Sequence, residues 1–505
     1  MTHHEIVYNF LFQDITSGEP LVAPFQRRLS TSNTISVSKK SSLADVASQV
    51  EESGLSLGQD FHLFLKGKPI IVHEDDSSTW TVFSFSWVLD GGVSTDVRRY
   101  GKPHKFKWLP LKDIVSGKYD RDWGHPFSQA IQRVSLRSEA LSSSGSVESH
   151  VDIAARVLEG CLQAMKYDFG SGARQMATTV LLHFHYAVSV IGRTAHGRSS
   201  WHWICMAAWH LVYNGRPSMN AAIRSNLLLC LSQMRSHKGN KAEMLEIFEN
   251  SARERDHFSQ RIGESFAKFV QLRFHERFNS SDGQPITISV LTLSSSIIKS
   301  ALLAALRRCN IVLDVRILES RPLCEGAHMA FQLLQQAGDC DDRMKVTIAT
   351  DASVAMMARD VDLVLLGADQ IAENGDVSNK TGSHSAALCA RALGNKACGD
   401  PRVVVVSGIE KVAKSSALID DFIEEEDCGS PQIWRAWEKT GCKLDGELQS
   451  LVIDRRVNIK NVIFEWVPAE CIDTYLNEDG EMTKAQIRAY SLYLQQLEDD
   501  VFGQL

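Results

Sequence analysis

Three short segments of the chain carry residue types that suit an anionic ligand. Thr292-Leu293-Ser294-Ser295-Ser296 is a run of hydroxyl side chains placed to open a helix. Glu319-Ser320-Arg321-Pro322-Leu323-Cys324-Glu325-Gly326 sets a guanidinium beside a proline turn. Gly367-Ala368-Asp369-Gln370-Ile371, followed by Asn374-Gly375 and Asn379-Lys380-Thr381-Gly382, couples a carboxylate to a lysine and several glycines. Helix starts rich in hydroxyl groups and glycine present free N–H groups and a positive dipole end, which suits phosphate. Arg321 and Lys380 add fixed charge and charge-assisted hydrogen bonds. Asp369, at the end of an apolar strand, is a carboxylate that could exchange a proton with a bound substrate. Each residue also has a purely structural reading: Ser295 as a helix cap, Arg321 as a surface ion pair, Asp369 as a turn residue. Three such loops on one sheet edge favour a ligand site over those separate readings.

The elements that must position these loops are legible in the hydrophobic pattern. After Gly283-Gln284-Pro285 the chain alternates short β-rich runs with helical segments. The runs are Ile286 to Leu293, Asp314 to Leu318, Val346 to Ala349, Val361 to Leu366 and Val403 to Val406. Helices are expected near Ile297 to Arg307, Ala327 to Gln336 and Ser383 to Leu393. Near-continuous apolar strands alternating with helices indicate a parallel sheet covered on both faces. Ligands in such sheets sit at the carboxyl ends of the strands, which directs attention to the loops after Leu293, Leu318, Ala349, Leu366 and Val406. Before this unit, apolar residues recur at three and four residues from about Val151 to Phe278, and one long helix is expected over Met244 to Phe278. The serine-rich stretch around Ser142 to Ser146 has linker composition. The first unit reads as strands, Ile6 to Phe12 and Thr79 to Trp87 among them, around a short helical segment from Leu43 to Ser53. The expected domains are therefore 1–135, a linker at 136–150, a helical subdomain at 151–280 and a parallel α/β domain at 281–505.

Composition narrows the function classes. With 44% hydrophobic and 23% charged residues in 505, the chain can build substantial cores. A formal net charge of -7 argues against direct nucleic-acid binding, which needs concentrated Lys and Arg. No apolar stretch is long enough to span a bilayer, and the amino terminus lacks the pattern of a secretory signal. Eleven cysteines without a C-x-x-C pair read as reduced thiols of a cytoplasmic protein.

The run Gly367-Ala368-Asp369-Gln370-Ile371 … Asn374-Gly375 … Asn379-Lys380-Thr381-Gly382 resembles the G-A-D-x-I … N-G … N-K-x-G signature of a superfamily. That superfamily contains methylthioribose-1-phosphate isomerase, ribose-1,5-bisphosphate isomerase and the alpha, beta and delta subunits of initiation factor 2B. Glu319-Ser320-Arg321-Pro322 with Gly326 resembles its E-x-R-P-x-x-x-G loop, and Phe464 to Asp473 its F-D-x-x-P-P-E-x-I-D segment. Gly172-Ala173 and Gly215-Arg216-Pro217-Ser218 are similar to its substrate-binding R-G-A and x-R-P-T segments. The resemblance implies a Rossmann-like carboxyl-terminal domain, and a site for a phosphorylated pentose or nucleoside monophosphate. Catalysis would fall to Asp369 and Ser294, with Gly172, Ala173, Arg216, Ser295, Ser296, Arg321, Glu325, Asn379 and Lys380 holding the ligand. It also implies a homo-oligomer or initiation-factor-like protein partners.

Three departures stand out. Ser294 occupies the place of the cysteine that shuttles hydrogen in the isomerases, and a serine hydroxyl is far less acidic than a thiol. Glu325 stands where the isomerases commonly carry glutamine, and its carboxylate would repel a phosphate. Ser171 replaces the arginine of R-G-A. Cys324 could supply the missing thiol in space, but a bystander role suits it much better. In the first unit, Asp45 to Leu55 is similar to the end of a Nudix box, keeping Glu51, Glu52, Gly54 and Leu55. The box's arginine and first glutamate are replaced by Ala47 and Ser48. The resemblance implies a Nudix-like α+β fold in which Glu51 and Glu52 could hold magnesium but hydrolysis is lost; no other cofactor is expected. Three readings follow: a phosphosugar- or nucleotide-sensing scaffold, an aldose–ketose phosphate isomerase, and a Nudix hydrolase with a regulatory carboxyl-terminal half.

Overall fold

The computed structural model describes residues 2–12, 21–30, 61–75, 78–89, 108–124, 126–137, 150–191, 198–237, 241–293, 296–394, 400–414, 430–439 and 456–505. The Leu43 to Ser53 segment, with Glu51 and Glu52, lies outside them, as do Ser294 and Ser295.

The first unit is a mixed six-stranded sheet. Strand β1 (Thr2–Phe12) runs antiparallel to β2 (Leu21–Ser30) and parallel to β5 (Ser78–Leu89). Strands β3 (Phe61–Lys66) and β4 (Ile70–Asp75) pair antiparallel with β5, and the two-residue β6 (Leu109–Pro110) closes on β2. Alternation along β1 sends Ile6, Tyr8, Phe10 and Phe12 to one face, where they join Phe127 and Ile131. The same hydrophobic cluster continues without a break through the helices α1 (His150–Tyr167), α2 (Ala173–Ile191), α3 (Arg198–Tyr213), α4 (Asn220–Met234) and α5 (Lys241–Asp256).

The single long helix expected over Met244 to Phe278 is not formed. The chain turns at His257, and α6 (Phe258–Arg273) begins afresh, with a further turn at Phe274. The cause is packing. Met244 and Phe248 belong to the cluster shared with the first sheet, whereas Phe258, Ile262, Phe266 and Val270 pack into the core of the α/β unit. One straight helix could not serve both cores.

The α/β unit is built on a seven-stranded sheet. Its strands are β7 (Ile286–Thr292), β8 (Ile311–Leu318), β9 (Met344–Ala349), β10 (Leu363–Leu366), β13 (Arg402–Val406), β15 (Thr474–Asn477) and β16 (Gly480–Met482). Across the sheet they lie in the order β16-β15-β13-β10-β7-β8-β9. All neighbours are parallel except β16, which folds back antiparallel on β15. The chain builds outward from β7 to β9, then returns to the centre and builds the other way, which is the doubly wound Rossmann order with its switch point between β7 and β10. Alternation gives each face its own core. Leu363, Leu365, Val404 and Val406 meet α6, α7 (Ser296–Arg308) and α8 (Glu325–Ala337). Val364, Leu366, Val403 and Val405 meet α9 (Ser383–Leu393) and Ile487 of α10 (Lys484–Phe502). A small sheet of β11 (Gln370–Ile371), β12 (Val377–Lys380) and β14 (Phe464–Val467) caps the carboxyl ends.

Candidate functional site

Where the winding reverses, the strand ends open onto a cavity of about 950 Å³. The connections after β8, β10 and β13 line it, together with β12, the start of α7 and the amino end of α2. The loop after β10 brings Asp369, whose amide donates to the Ser378 carbonyl at 2.8 Å, tying the turn to β12. β12 itself delivers Asn379 and Lys380. Asn379 is buried and donates to Ser383 Oγ at 2.9 Å. The connection after β8 delivers Glu325, at the first position of α8, and the next residue must be glycine. A Cβ on Gly326 would stand 2.0 Å from the Leu318 carbonyl oxygen.

Two cation–carboxylate pairs set the electrostatics. Lys380 Nζ lies 3.1 Å from one Glu325 oxygen and 2.9 Å from the other, above the Phe464 ring at 4.9 Å. Lys411 Nζ lies 3.9 Å from Asp369 Oδ1, both side chains being largely buried. Glu325, expected from sequence to repel a phosphate, is thus already bound to a lysine of the same cavity. Gly172 and Ala173 line the opposite wall, where α2 starts. Their loop is shaped by Asp168, whose carboxylate accepts the amides of Gly170 and Ser171 at 3.1 and 2.9 Å. Burial pushes the Asp168 carboxyl upward, yet hydrogen bonds from Ser171 and Gly170 and the Arg216 charge hold it below its ordinary value.

The remaining sequence candidates fall elsewhere. Arg216 is buried beneath this loop, donating to the Asp168 carbonyl at 2.8 Å between the rings of Phe169 and Phe464, so it shapes the wall without lining it. Arg321 is half exposed and paired with Glu319 at 2.8 Å, outside the cavity lining. Cys324 is also absent from that lining. Ser296 opens α7, next to the two serines that are not described.

Several lining residues lie outside the sequence motifs. Lys411 and Glu410 follow β13, where the strand-end rule points, but no motif singles them out. Glu410 accepts from Asn226 Nδ2 at 2.8 Å. Arg174, Lys299, His328 and Gln332 come from helix faces. Arg174 stacks on Phe258 with 3.9 Å to the ring centroid and donates to Ser259. Three residues earlier, Ser171 lacks the guanidinium of the R-G-A pattern. Among the described residues no group of three or more His, Cys, Asp or Glu side chains could hold a metal ion, and no helix is long and apolar enough to cross a membrane.

The profile of the initiation factor 2 subunit family matches residues 214–484, more than half of the chain. The chain belongs to that family. Within it, curated relatives include methylthioribose-1-phosphate isomerase of Geobacillus thermodenitrificans, 40% identical over 34% of this chain and 42% of that enzyme. The Heliobacterium modesticaldum enzyme of the same name is 33% identical over 32% and 41%. The match thus spans about two fifths of these relatives. Among solved structures, translation initiation factor eIF-2B of Pyrococcus horikoshii OT3 is 20% identical over 65% of this chain and 96% of that one, with a TM-score of 0.46. The family region includes Asp369, Asn379, Lys380 and Lys411, while Gly172, Ala173 and Arg174 lie before it.

Proposed function

We propose that this family member binds a phosphorylated pentose or a nucleoside monophosphate in the switch-point cavity and acts as a sensing or regulatory scaffold with weakened isomerase chemistry. The observation that carries the reading is that Asp369, Asn379 and Lys380 share one cavity with the amino end of α2, at the sheet position where α/β proteins hold anionic ligands. The weakened chemistry follows from Ser294. Moving hydrogen between C1 and C2 of a sugar phosphate needs two proton-handling groups on one bond, and Asp369 supplies one. A serine at the second position forfeits much of the roughly hundred- to ten-thousand-fold that acid–base assistance gives.

A second reading, an active aldose–ketose phosphate isomerase, draws support from the retained Asp369 and from the relatives being isomerases. One experiment separates the two. Calorimetry with ribose 5-phosphate, ribose 1,5-bisphosphate, methylthioribose 1-phosphate and AMP is run beside an isomerisation assay on the two substrates. Binding that Lys380→Ala abolishes, with trace turnover or none, is the expected result. Brisk turnover lost in Asp369→Asn would install the isomerase reading instead. The third reading, a Nudix hydrolase, rests on Glu51 and Glu52 alone.

A further inference from the structure

The Lys380–Glu325 pair places an anion of the protein's own on a cation that a phosphate would use. We propose that Glu325 is an internal competitor for the ligand's phosphate: it pairs with Lys380 and sets the ligand concentration at which the site fills. The inference deepens, and rests on, the phosphosugar reading above.

The geometry is that of a formed pair. Both Glu325 oxygens are within 3.1 Å of Lys380 Nζ, with the lysine side chain 12% and the glutamate 26% exposed. Such shielding strengthens the attraction beyond that of a solvated surface pair. The backbone of Glu325 is fixed independently of Lys380. It begins the thirteen-residue α8, where a carboxylate is favoured by the helix dipole, and Gly326 packs directly on the Leu318 carbonyl behind it. The positive helix end that could attract a phosphate thus carries a carboxylate already.

A phosphate entering the cavity meets two costs. Lys380 must exchange one anion for another, and the displaced Glu325 charge stays close to the phosphate oxygens. A ligand with a strong, doubly charged phosphate can overcome both, whereas a weaker anion cannot. This suits a sensor, because the pair raises the filling threshold without removing the lysine that recognises phosphate.

The test is titration of the full-length protein with ribose 5-phosphate and with inorganic phosphate, in wild type, Glu325→Gln and Glu325→Asp. Glu325→Gln keeps the shape and removes the charge, and should bind phosphate about tenfold more tightly or better. Glu325→Asp keeps the charge and should stay near wild-type affinity. If wild type binds and Glu325→Gln is unchanged or weaker, the competitor role is wrong. An equal gain in Glu325→Asp would trace the effect to bulk and overturn the role as well. If neither wild type nor Glu325→Gln binds either ligand, the phosphosugar reading itself falls, and this inference with it.

Discussion

His210 is fully buried on α3, and burial, with the Arg133 charge nearby, pushes its pKa down to about 3. Asn214 Nδ2 donates to its Nδ1 at 2.9 Å and to the Lys66 carbonyl at 3.0 Å, so the ring must stay neutral at Nδ1 to accept. The unfolded chain takes up this proton near pH 6.5, and the folded chain does not until about pH 3. Across that window the unfolded state binds more protons, so stability is complete above pH 6.5 and falls as pH falls, by up to about 1.4 kcal/mol per pH unit. Urea unfolding at pH 7.5 and pH 5 should show a loss of roughly 2 kcal/mol from this group. His210→Gln should lose that much less between the same two conditions; an identical loss in both proteins would exclude His210 as the source. Legibility at this scale was uneven. That Asp369, Asn379 and Lys380 share one cavity could be read because they lie in one contiguous turn-and-strand run, whose spacing survives in the linear chain. Lys411 and Arg174 could not, because their partners Asp369 and Phe258 lie far away in sequence, and His210 could not, because its burial is a property of the whole fold. Glu325 was legible as a departure, but its partner was not, since fifty-five residues separate it from Lys380.

At the scale of elements, strand positions followed from apolar runs, and each expected strand of the α/β unit formed within a few residues of its place. The small capping sheet and the α10 helix lie outside the expected strands and helices, although Thr483 and Gln486 form a capping box at the start of α10. That helix ties the molecule together through one buried carboxylate. Glu498 accepts from Lys414 at 2.5 Å and from Tyr213, and faces Arg224 at 3.4 Å. These partners belong to the segment after β13, to α3 and to α4, so three elements meet on one residue of α10. Burial pushes the Lys414 ammonium below its ordinary pKa even beside Glu498, a sign that the surroundings are poorly solvated. Glu498→Gln should therefore strand two cations and cost roughly 3–5 kcal/mol of stability, readable as a lower urea midpoint. Because Lys414 follows Lys411 by three residues, the same variant should weaken ligand binding under conditions where it is still folded. A variant as stable as wild type would show that Arg224 and Lys414 find other partners.

At the scale of the whole molecule, the seven-stranded sheet has unequal edges. On one side β16 ends it as a three-residue antiparallel return. On the other side β9 is a six-residue edge strand, with Ile348 49% exposed. The helix packed against it, α8, exposes Phe331 by 64% and Leu334 by 43%. An edge strand with free backbone groups invites pairing with another chain unless charge, a bulge or a cover blunts it, and neighbouring exposed apolar side chains mark interaction surfaces. A second copy is the simplest cover, since a twofold contact needs only one self-complementary patch and closes on itself. The expected outcome is a homodimer through the β9–α8 side of the α/β unit, measured as twice the chain mass by light scattering at micromolar concentration. Phe331→Glu combined with Ile348→Lys should give a folded monomer, because both positions are exposed and their replacement disturbs no core. Wild type scattering as a monomer would refute the dimer. A dimer that the double variant leaves intact would place the interface on another face of the molecule.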